Sequence, residues 1–299
     1  MTSATQVDID ISAVAADARR VLTSNRRQGV SEWGARRYDF VCPSPDSYPF
    51  QWLWDSCFHA IALLTVDQEL AKQEIRCLLQ AGQPDGFLPH MLLWEQALHA
   101  AAMRDYSIVL ADPFYTATVQ PPVLARAVWR VYQATKDRDF LLEVLPPTMR
   151  FFRWLKAYRD PDDDHLIAII QPDESGLDAS PKYDHLMNLH DVPTEHVGAA
   201  LQASMDRLFS AYAPHREDPG RLLALDVFNW EDVMVNSIYA DGLQCLGGLV
   251  REAGFPPAEA AEFERRGRHV LGALEEKCWD ERSGVFWTCT ATRSPAPTR

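Results

Sequence analysis

The chain has 299 residues, of which 47% are hydrophobic, and it carries a net charge of −13. Its length and apolar content suffice for one large domain with a sizeable core. The negative charge argues against a nucleic-acid partner, because nucleic acids are bound through clustered Lys and Arg. The composition instead favours a neutral or small-molecule ligand.

The cysteines and the N-terminus indicate the kind of compartment. Six cysteines are scattered without CxxC spacing, which favours free buried thiols over metal or redox motifs. The N-terminus has no basic region followed by an apolar run, so the pattern indicates no signal peptide. No apolar stretch approaches the ~20 residues that cross a bilayer. We therefore expect a cytoplasmic protein that contacts no membrane.

Apolar residues recur at helical spacing through most of the chain, which predicts an all-α protein built of helical pairs. We expect a kink or break at Pro146 and Pro147, and we interpret Thr194 as an N-cap. The best candidate for a short strand is 166–170. The predicted helices are 11–25, 53–65, 68–79, 122–135, 139–158, 194–212, 230–252 and 257–278.

Three long segments separate these helices: 27–51, 82–119 and 160–192. They are not of low complexity, and long ordered loops in a compact domain are usually functional. We therefore expect the residues that bind a ligand or carry chemistry to lie in these segments.

The stretch YPFQWLWDSCFHAIAL begins at Tyr48 and places Trp52, Trp54 and Asp55 at the start of a predicted helix. Two tryptophans that are two residues apart cannot share one helical face. A wall of indoles beside a carboxylate suits a sugar, whose apolar ring face packs on Trp while its hydroxyls bind Asp. Taken alone, Asp55 also fits a helix-end carboxylate favoured by the dipole.

Two further loop residues are polar and precede predicted elements. His90 ends the loop QPDGFLPHM, where a single histidine is usually structural. Gln120 precedes a helix through two prolines, so its amide is either a cap or a ligand contact. Both interpretations stay open for each residue.

The stretch QPDESGLDASPKYDHL, residues 171–186, is unusually rich in carboxylates for a loop. Within it, Asp178 is flanked by the apolar Leu177 and Ala179. Apolar surroundings raise the pKa of a carboxyl by desolvation, which a general acid at neutral pH requires. The alternative is an ordinary loop acid that binds turn amides.

The stretches QWLWDSCFHA, QPDGFLPHM, QPPVLA and ESGLDASPKYD, in this order, resemble family 63 of the glycoside hydrolases. The likeness is to its bacterial mannosylglycerate hydrolase-like members and, more distantly, to trehalases. It covers residues 48–287, and ESG-x-D-x-S is its most specific motif. The resemblance implies an (α/α)6 barrel, in which an inner ring of helices lies inside an outer ring and the sugar pocket lies at one mouth.

The resemblance also implies hydrolysis with inversion by one general acid and one general base. It implies that Asp178 is the acid. Inversion requires two carboxyls about 6.5–9.5 Å apart, so that a water fits between the base and the anomeric carbon. Acid, base and water suffice, so we expect no metal or organic cofactor. The sugar contacts that the resemblance implies are Tyr48, Trp52, Trp54, Asp55, His90 and Gln120.

The general base of the family is a glutamate beyond a segment like CWDERSGVFW, but only 12 residues follow Trp287 here. We therefore expect a C-terminally incomplete barrel of about four of the six helical hairpins. Residues 1–287 would form one domain and 288–299 an irregular tail. We expect the base to be missing, activity to be doubtful and the open barrel flanks to self-associate. Glu231 and Asp232 are the acids considered as replacements for the base.

Three functions remain open. The first is an inverting hydrolase of a small α-linked glucoside or mannoside, and the second is a non-catalytic fragment or pseudoenzyme that binds sugar. The third is a sugar epimerase on an α-toroid, which requires His90, His185, His190 and His196 to converge. If the aglycone is an acid such as glycerate, a cation must bind its carboxylate. The candidates for that cation are Lys182, Arg216 and Arg221.

Overall fold

The computed structural model describes residues 10–105, 109–160 and 162–290, and this part of the chain is mainly helical. The predicted predominance of helix is confirmed. The α-helices of the described part are α1 Ile11–Ser24, α2 Leu53–Leu63, α3 Gln68–Leu79, α4 His99–Asp105, α5 Leu124–Thr135, α6 Arg138–Arg159, α7 Val197–Tyr212, α8 Val233–Ala253 and α9 Pro257–Ala273. The strands are β1 Arg26–Val30, β2 Arg37–Val41, β3 Gln51–Trp52, β4 Met91–Leu92, β5 Leu110–Asp112, β6 Tyr115–Thr116, β7 Trp279–Asp280 and β8 Val285–Phe286.

Six helices form three consecutive hairpins, α2 with α3, α5 with α6 and α8 with α9. The first members pack side by side, with α5 between α2 and α8, while α3 packs against α6. Burial separates the two rows only in the last hairpin, where α8 buries 12 of its 21 residues and α9 buries 5 of its 17. Two packed rows of helices match the inner and outer rings that the resemblance to family 63 implies.

Helix α6 runs without interruption through Pro146 and Pro147, so the break expected there is absent. A proline removes the N–H that would bond to the carbonyl four residues earlier. Those carbonyls belong here to Leu142 and Glu143, both on the exposed side of the helix. Water can bind them there, so the helix continues.

The expected N-cap at Thr194 is also wrong. Thr194 begins a 3-10 turn, Thr194–His196, that leads into α7, and its side chain makes no capping hydrogen bond. A backbone hydrogen bond within the turn takes the place of a side-chain cap: the N–H of His196 donates to the carbonyl of Pro193 at 2.8 Å. Helix α8 likewise begins later than expected, at the N-cap Asp232, whose side chain accepts from Met234 and Val235.

The predicted strand 166–170 is absent from the described structure, where Ile169 makes only an isolated bridge to Trp230. The segment is fully buried, as its apolar composition suggests. The backbone of Ile167 bonds to a side chain and not to a strand. Its N–H donates to Asn236 Oδ1 at 2.7 Å, and its carbonyl accepts from Asn236 Nδ2 at 2.9 Å.

The strands lie instead inside segments interpreted from sequence as loops. Strands β1 and β2 form an antiparallel hairpin, from Arg26 opposite Val41 to Val30 opposite Arg37. Strands β3, β4, β6 and β5 form a small sheet at the start of α2. Residues 288–290 follow β8, and the rest of the expected irregular tail, 291–299, lies outside the described residues. Along the described helices, none is long and apolar enough to span a membrane.

Candidate active site

A cavity of about 520 Å³ lies where α2 and α5 begin. Every residue that the sequence analysis selected for the site borders it, so the structure brings together residues spread over 131 positions of the chain. Pro43, Asp173, Gly176 and one face of α7 complete the lining. The selected residues in the lining are Tyr48, Trp52, Trp54, Asp55, His90, Gln120 and Asp178.

The small sheet positions one aromatic wall of the cavity. In the pairing of β3 with β4, Trp52 stands opposite Met91. This register places the Trp52 ring 5.1 Å from the His90 ring and 6.3 Å from the Tyr48 ring. The backbone of Leu53 also donates to the carbonyl of His90 at 2.9 Å. The aromatic wall therefore depends on pairing between segments 40 residues apart.

Gln120 fixes the second indole. Its buried Oε1 accepts from the backbone N–H of Trp54 at 2.9 Å. The amide thus caps the start of α2 and not α5, the helix that Gln120 precedes. Contact between Gln120 and a ligand stays a prediction, for which its NH₂ group offers donors.

His90 is buried and neutral. Burial lowers its pKa to about 3, and its Nδ1 lies 3.3 Å from Thr118 Oγ1. At neutral pH it can exchange a hydrogen bond with a hydroxyl but carries no charge. Of the four histidines that an epimerase would need, only His90 lines the cavity, since His185 packs on Trp230 and near His190 instead.

Three carboxyls share the cavity, those of Asp55, Asp173 and Asp178. Burial raises the pKa of Asp178. Burial, with a smaller contribution from the charge of Asp178, raises the pKa of Asp55 to about 6. Burial also raises the pKa of Asp173 well above its usual range, with the charges of Asp178 and Glu174 adding to the effect. Burial in the cavity therefore favours the protonated form of all three carboxyls.

Sequence reasoning did not select Asp173. It stands in the same carboxylate-rich run as Asp178, but its neighbour Glu174 looks equivalent in the printed sequence. The 3-10 turn Pro172–Ser175 separates them: Asp173 borders the cavity, while Glu174 points into the core. The carboxylate-rich stretch was the signal that the sequence offered. The 3-10 turn determines which of the two acids borders the cavity.

Glu174 anchors the carboxylate-rich loop 171–186, here called the acid loop, to helix α6 and to the segment before α5. Its carboxylate accepts from the backbone N–H of Val119 at 2.8 Å and of Ile170 at 2.9 Å. It also forms a two-pronged ion pair with Arg159, with both N–O distances at 2.7 Å. Since Val119 precedes Gln120, one carboxylate holds the two sides of the cavity in register.

The acids considered as replacements for the base lie elsewhere. Asp232 caps α8 and accepts from Tyr183 Oη at 2.8 Å, and Lys182 Nζ lies 2.5 Å from it. Glu231 is fully buried beside Lys277, with Nζ 2.8 Å from Oε2. Neither acid lines the cavity. Both carboxylates form ion pairs or hydrogen bonds at the start of α8.

The candidate cations for an acidic aglycone also lie outside the described lining of the cavity. Lys182 pairs with Asp232, Arg216 borders a separate cavity of about 490 Å³, and Arg221 is exposed. The acidic side chains that could share a metal ion, Asp160, Asp162 and Asp164, follow α6 and are not part of the cavity either.

The chain matches the family model of the mannosylglycerate hydrolase MGH1-like glycoside hydrolase domain over residues 48–299. It is 32% identical to the mannosylglycerate hydrolase of Thermus thermophilus over 83% of this chain and 64% of that protein. It is 28% identical to the mannosylglycerate hydrolase of Rubrobacter radiotolerans over 83% of this chain and 62% of that protein. It is 27% identical to a glucosylglycerate hydrolase of Mycolicibacterium hassiacum over 81% and 61%. The chain thus spans a little under two thirds of the length of these relatives.

Solved structures agree. The GH63 mannosylglycerate hydrolase of Thermus thermophilus in complex with Tris and D-glycerate superposes with a TM-score of 0.76 at 29% identity, over 93% of this chain and 68% of that one. Its complex with glucose gives a TM-score of 0.73 at 31% identity, over 92% and 66%. The resemblance drawn from the motifs is confirmed: the chain belongs to the mannosylglycerate hydrolase-like glycoside hydrolases of family 63.

Proposed function

We propose that this chain carries the sugar pocket and the general acid of an inverting glycoside hydrolase that acts on a small α-linked glucoside or mannoside. The observation that carries the proposal is one cavity bordered by two indoles and three carboxyls of raised pKa. The names of the relatives support a glycerate-like aglycone.

In this proposal the sugar ring packs against Trp52 and Trp54, whose broad apolar faces suit the C–H side of a pyranose. The amide hydrogens of Gln120 and the neutral ring of His90 bind hydroxyls. Asp55 accepts from a further hydroxyl in its ionised form or donates in its neutral form. These contacts fix the anomeric carbon next to the acid.

The protonated form of Asp178, which burial favours by raising the pKa of this carboxyl, donates its proton to the glycosidic oxygen. The bond between that oxygen and the anomeric carbon breaks, the aglycone leaves as an alcohol, and positive charge develops on the sugar. The ionised Asp178 and the neighbouring carboxyls stabilise this charge. A water then adds to the opposite face and loses a proton to a base carboxylate.

Binding without turnover is the second candidate function. Its specific support is the position of Glu231 and Asp232, the two considered bases, which are engaged with Lys277 and with the N-terminus of α8 rather than with the cavity. The two candidates share the pocket and differ only in whether a base completes it.

The test measures binding and turnover on the same protein. Titration calorimetry with glucose, mannosylglycerate and glucosylglycerate measures affinity, and proton NMR of the first released anomer measures turnover and its stereochemistry. We expect binding, with the inverted anomer wherever turnover occurs. Binding with no product selects the second candidate. If none of the three ligands binds, both candidates are wrong.

Asp178→Asn isolates the acid, and Asp184→Asn in the same loop is its matched control, because Asp184 does not border the cavity. An amide keeps the shape but donates no acidic proton. We expect Asp178→Asn to lower turnover by about 10²–10⁴-fold and to leave affinity within a few-fold. Asp184→Asn should leave both unchanged. Equal turnover in the two variants would remove Asp178 from the role.

We also propose that the chain self-associates through the apolar surface at the β7–β8 hairpin. Val285, Phe286 and Trp287 are exposed to 43%, 45% and 60%. Large exposed apolar side chains that stand together favour association. Sedimentation velocity over a concentration series should reveal oligomers, and a concentration-independent monomer would refute this.

A further inference from the structure

Two cysteine sulfurs touch at the C-terminal side of the structure. Cys278 ends the turn Leu274–Cys278 that follows α9, and Cys289 lies three residues beyond β8. Their Sγ atoms are 3.3 Å apart. A disulfide bond is about 2.0 Å long, so bond formation needs the sulfurs to approach by only about 1.3 Å.

The backbone holds this approach in place. Strands β7 and β8 pair Trp279 with Phe286, and the N–H of Trp287 donates to the carbonyl of Cys278 at 2.7 Å. On the far side, the N–H of Glu231 donates to the carbonyl of Cys289 at 2.8 Å. The β7–β8 hairpin brings Cys289 back beside Cys278, and the hydrogen bond from Glu231 holds Cys289 in that position.

We propose that Cys278 and Cys289 form an intrachain disulfide when the protein meets a small disulfide oxidant such as oxidised glutathione. The cross-link closes the β7–β8 hairpin into a covalent ring. It ties this ring to the segment before α8, and therefore to the Asp232 carboxylate that caps that helix.

The reaction takes two thiol–disulfide exchanges. Cys289 is only partly buried, and as its sulfur attacks one sulfur of the oxidant, its thiol proton passes to the Cys278 thiolate, whose sulfur is 3.3 Å away. The oxidant's sulfur–sulfur bond breaks, a mixed disulfide forms on Cys289, and the released thiolate takes up a proton from water. Cys278 then attacks the Cys289 sulfur and gives its proton to the second thiolate as that thiolate leaves. Two protein thiols are oxidised, and one oxidant disulfide is reduced to two thiols.

The reactivity of the thiols supports this choice of pair. The hydrogen bond from Cys289 lowers the pKa of the Cys278 thiol, with a smaller contribution from the Lys277 charge, and the same hydrogen bond together with burial raises the pKa of the Cys289 thiol. Burial also raises the pKa of the Cys57 and Cys77 thiols, and it raises that of Cys245 to about 12. Thiolate is the reactive form, and among the described thiols only Cys278 and Cys289 lie within hydrogen-bond distance of each other.

The experiment incubates the full chain in glutathione buffers of increasing oxidised-to-reduced ratio. Free thiols are then trapped with N-ethylmaleimide under denaturing conditions, and peptides are mapped by mass spectrometry. We expect a cross-linked pair of peptides containing Cys278 and Cys289, two mass units lighter than the dithiol, with the other four cysteines alkylated. The cross-linked protein should unfold at a higher temperature than the reduced protein.

Two variants sharpen the result. Cys245→Ser removes a remote buried thiol and should leave the cross-link unchanged. Cys289→Ser should abolish it and remove the difference in unfolding temperature between oxidised and reduced samples. The proposal is overturned if all six cysteines are alkylated throughout the series, or if glutathione stays bound to Cys289 without ring closure. It is also overturned if Cys289→Ser keeps the difference in unfolding temperature between oxidised and reduced samples.

Discussion

The indole of Trp54 lies against the Cα of Gly176, so closely that an added methyl carbon on Gly176 would stand 2.2 Å from the ring carbon Cζ2. Gly176 ends the 3-10 turn of the acid loop in a left-handed conformation, with φ of +70°. Both residues border the cavity. The acid loop and the start of α2 therefore fit together only because residue 176 has no side chain.

We expect Gly176→Ala to reduce sugar affinity more than tenfold, because the methyl group displaces either the indole or the loop that carries Asp178. The matched control is Gly284→Ala, whose φ of +66° is similar but whose surroundings are open. The control should cost only the left-handed backbone strain, about 1 kcal/mol in the free energy of unfolding. Titration calorimetry and urea denaturation measure both effects. Equal losses in the two variants would contradict the close fit.

The ion pair between Arg159 and Glu174 is the main anchor of the acid loop. The side chains are only 1% and 0% exposed. We expect Glu174→Gln to lower the free energy of unfolding by about 3–5 kcal/mol, because it leaves the Arg159 charge buried and unpaired. Urea denaturation gives the value. Glu259→Gln, which loosens the exposed pair with Arg153, should cost less than about 1 kcal/mol.

Glu74 should make stability depend on pH. It is fully buried, accepts from Val41 N and Ser56 Oγ, and burial raises its pKa from 4.5 to about 8. Between these values the folded protein keeps a proton that the unfolded chain has lost. The free energy of unfolding should therefore fall by a few kcal/mol as the pH rises from about 4.5 to about 8.

Glu74→Gln should flatten this slope, since an amide stays neutral; its carbonyl oxygen can accept from the Val41 N–H while its NH₂ group donates to Ser56 Oγ. At pH 8 the variant should be more stable than the parent. Glu69→Gln, on the exposed side of the same helix, should keep the parent's slope. Urea denaturation at five pH values checks the set. A parent whose stability rises over the window would refute the assignment.

Asp173 should act as a neutral hydrogen-bonding group, because burial raises its pKa well above the usual range. At pH 7 we expect Asp173→Asn to bind glucose within a few-fold of the parent, since the amide is also uncharged and polar. Asp173→Leu should weaken binding more than tenfold, because it offers no hydrogen bond. Calorimetry compares the two. If the Asn and Leu variants lose affinity equally, Asp173 contributes charge rather than a neutral hydrogen bond.

The sequence by itself determined the helices, because helical spacing of apolar residues is a local pattern. The bounds of α3 were predicted to the residue, and those of α2 to within two. It also determined which loops matter, because aromatic and carboxylate residues in those loops have no other local reason to cluster. Trp52, His90, Gln120 and Asp178 were selected together because the order of their motifs resembles that of the family 63 glycoside hydrolases.

Only the tertiary structure decided what adjacent acids do. Asp173 and Glu174 are neighbours in sequence, yet one borders the cavity and the other pairs with Arg159 in the core. Glu231 looked available as a base but lies buried beside Lys277. The reason is physical: the pKa and the role of a carboxyl depend on desolvation and on charges brought close by folding, and the distance along the chain encodes neither.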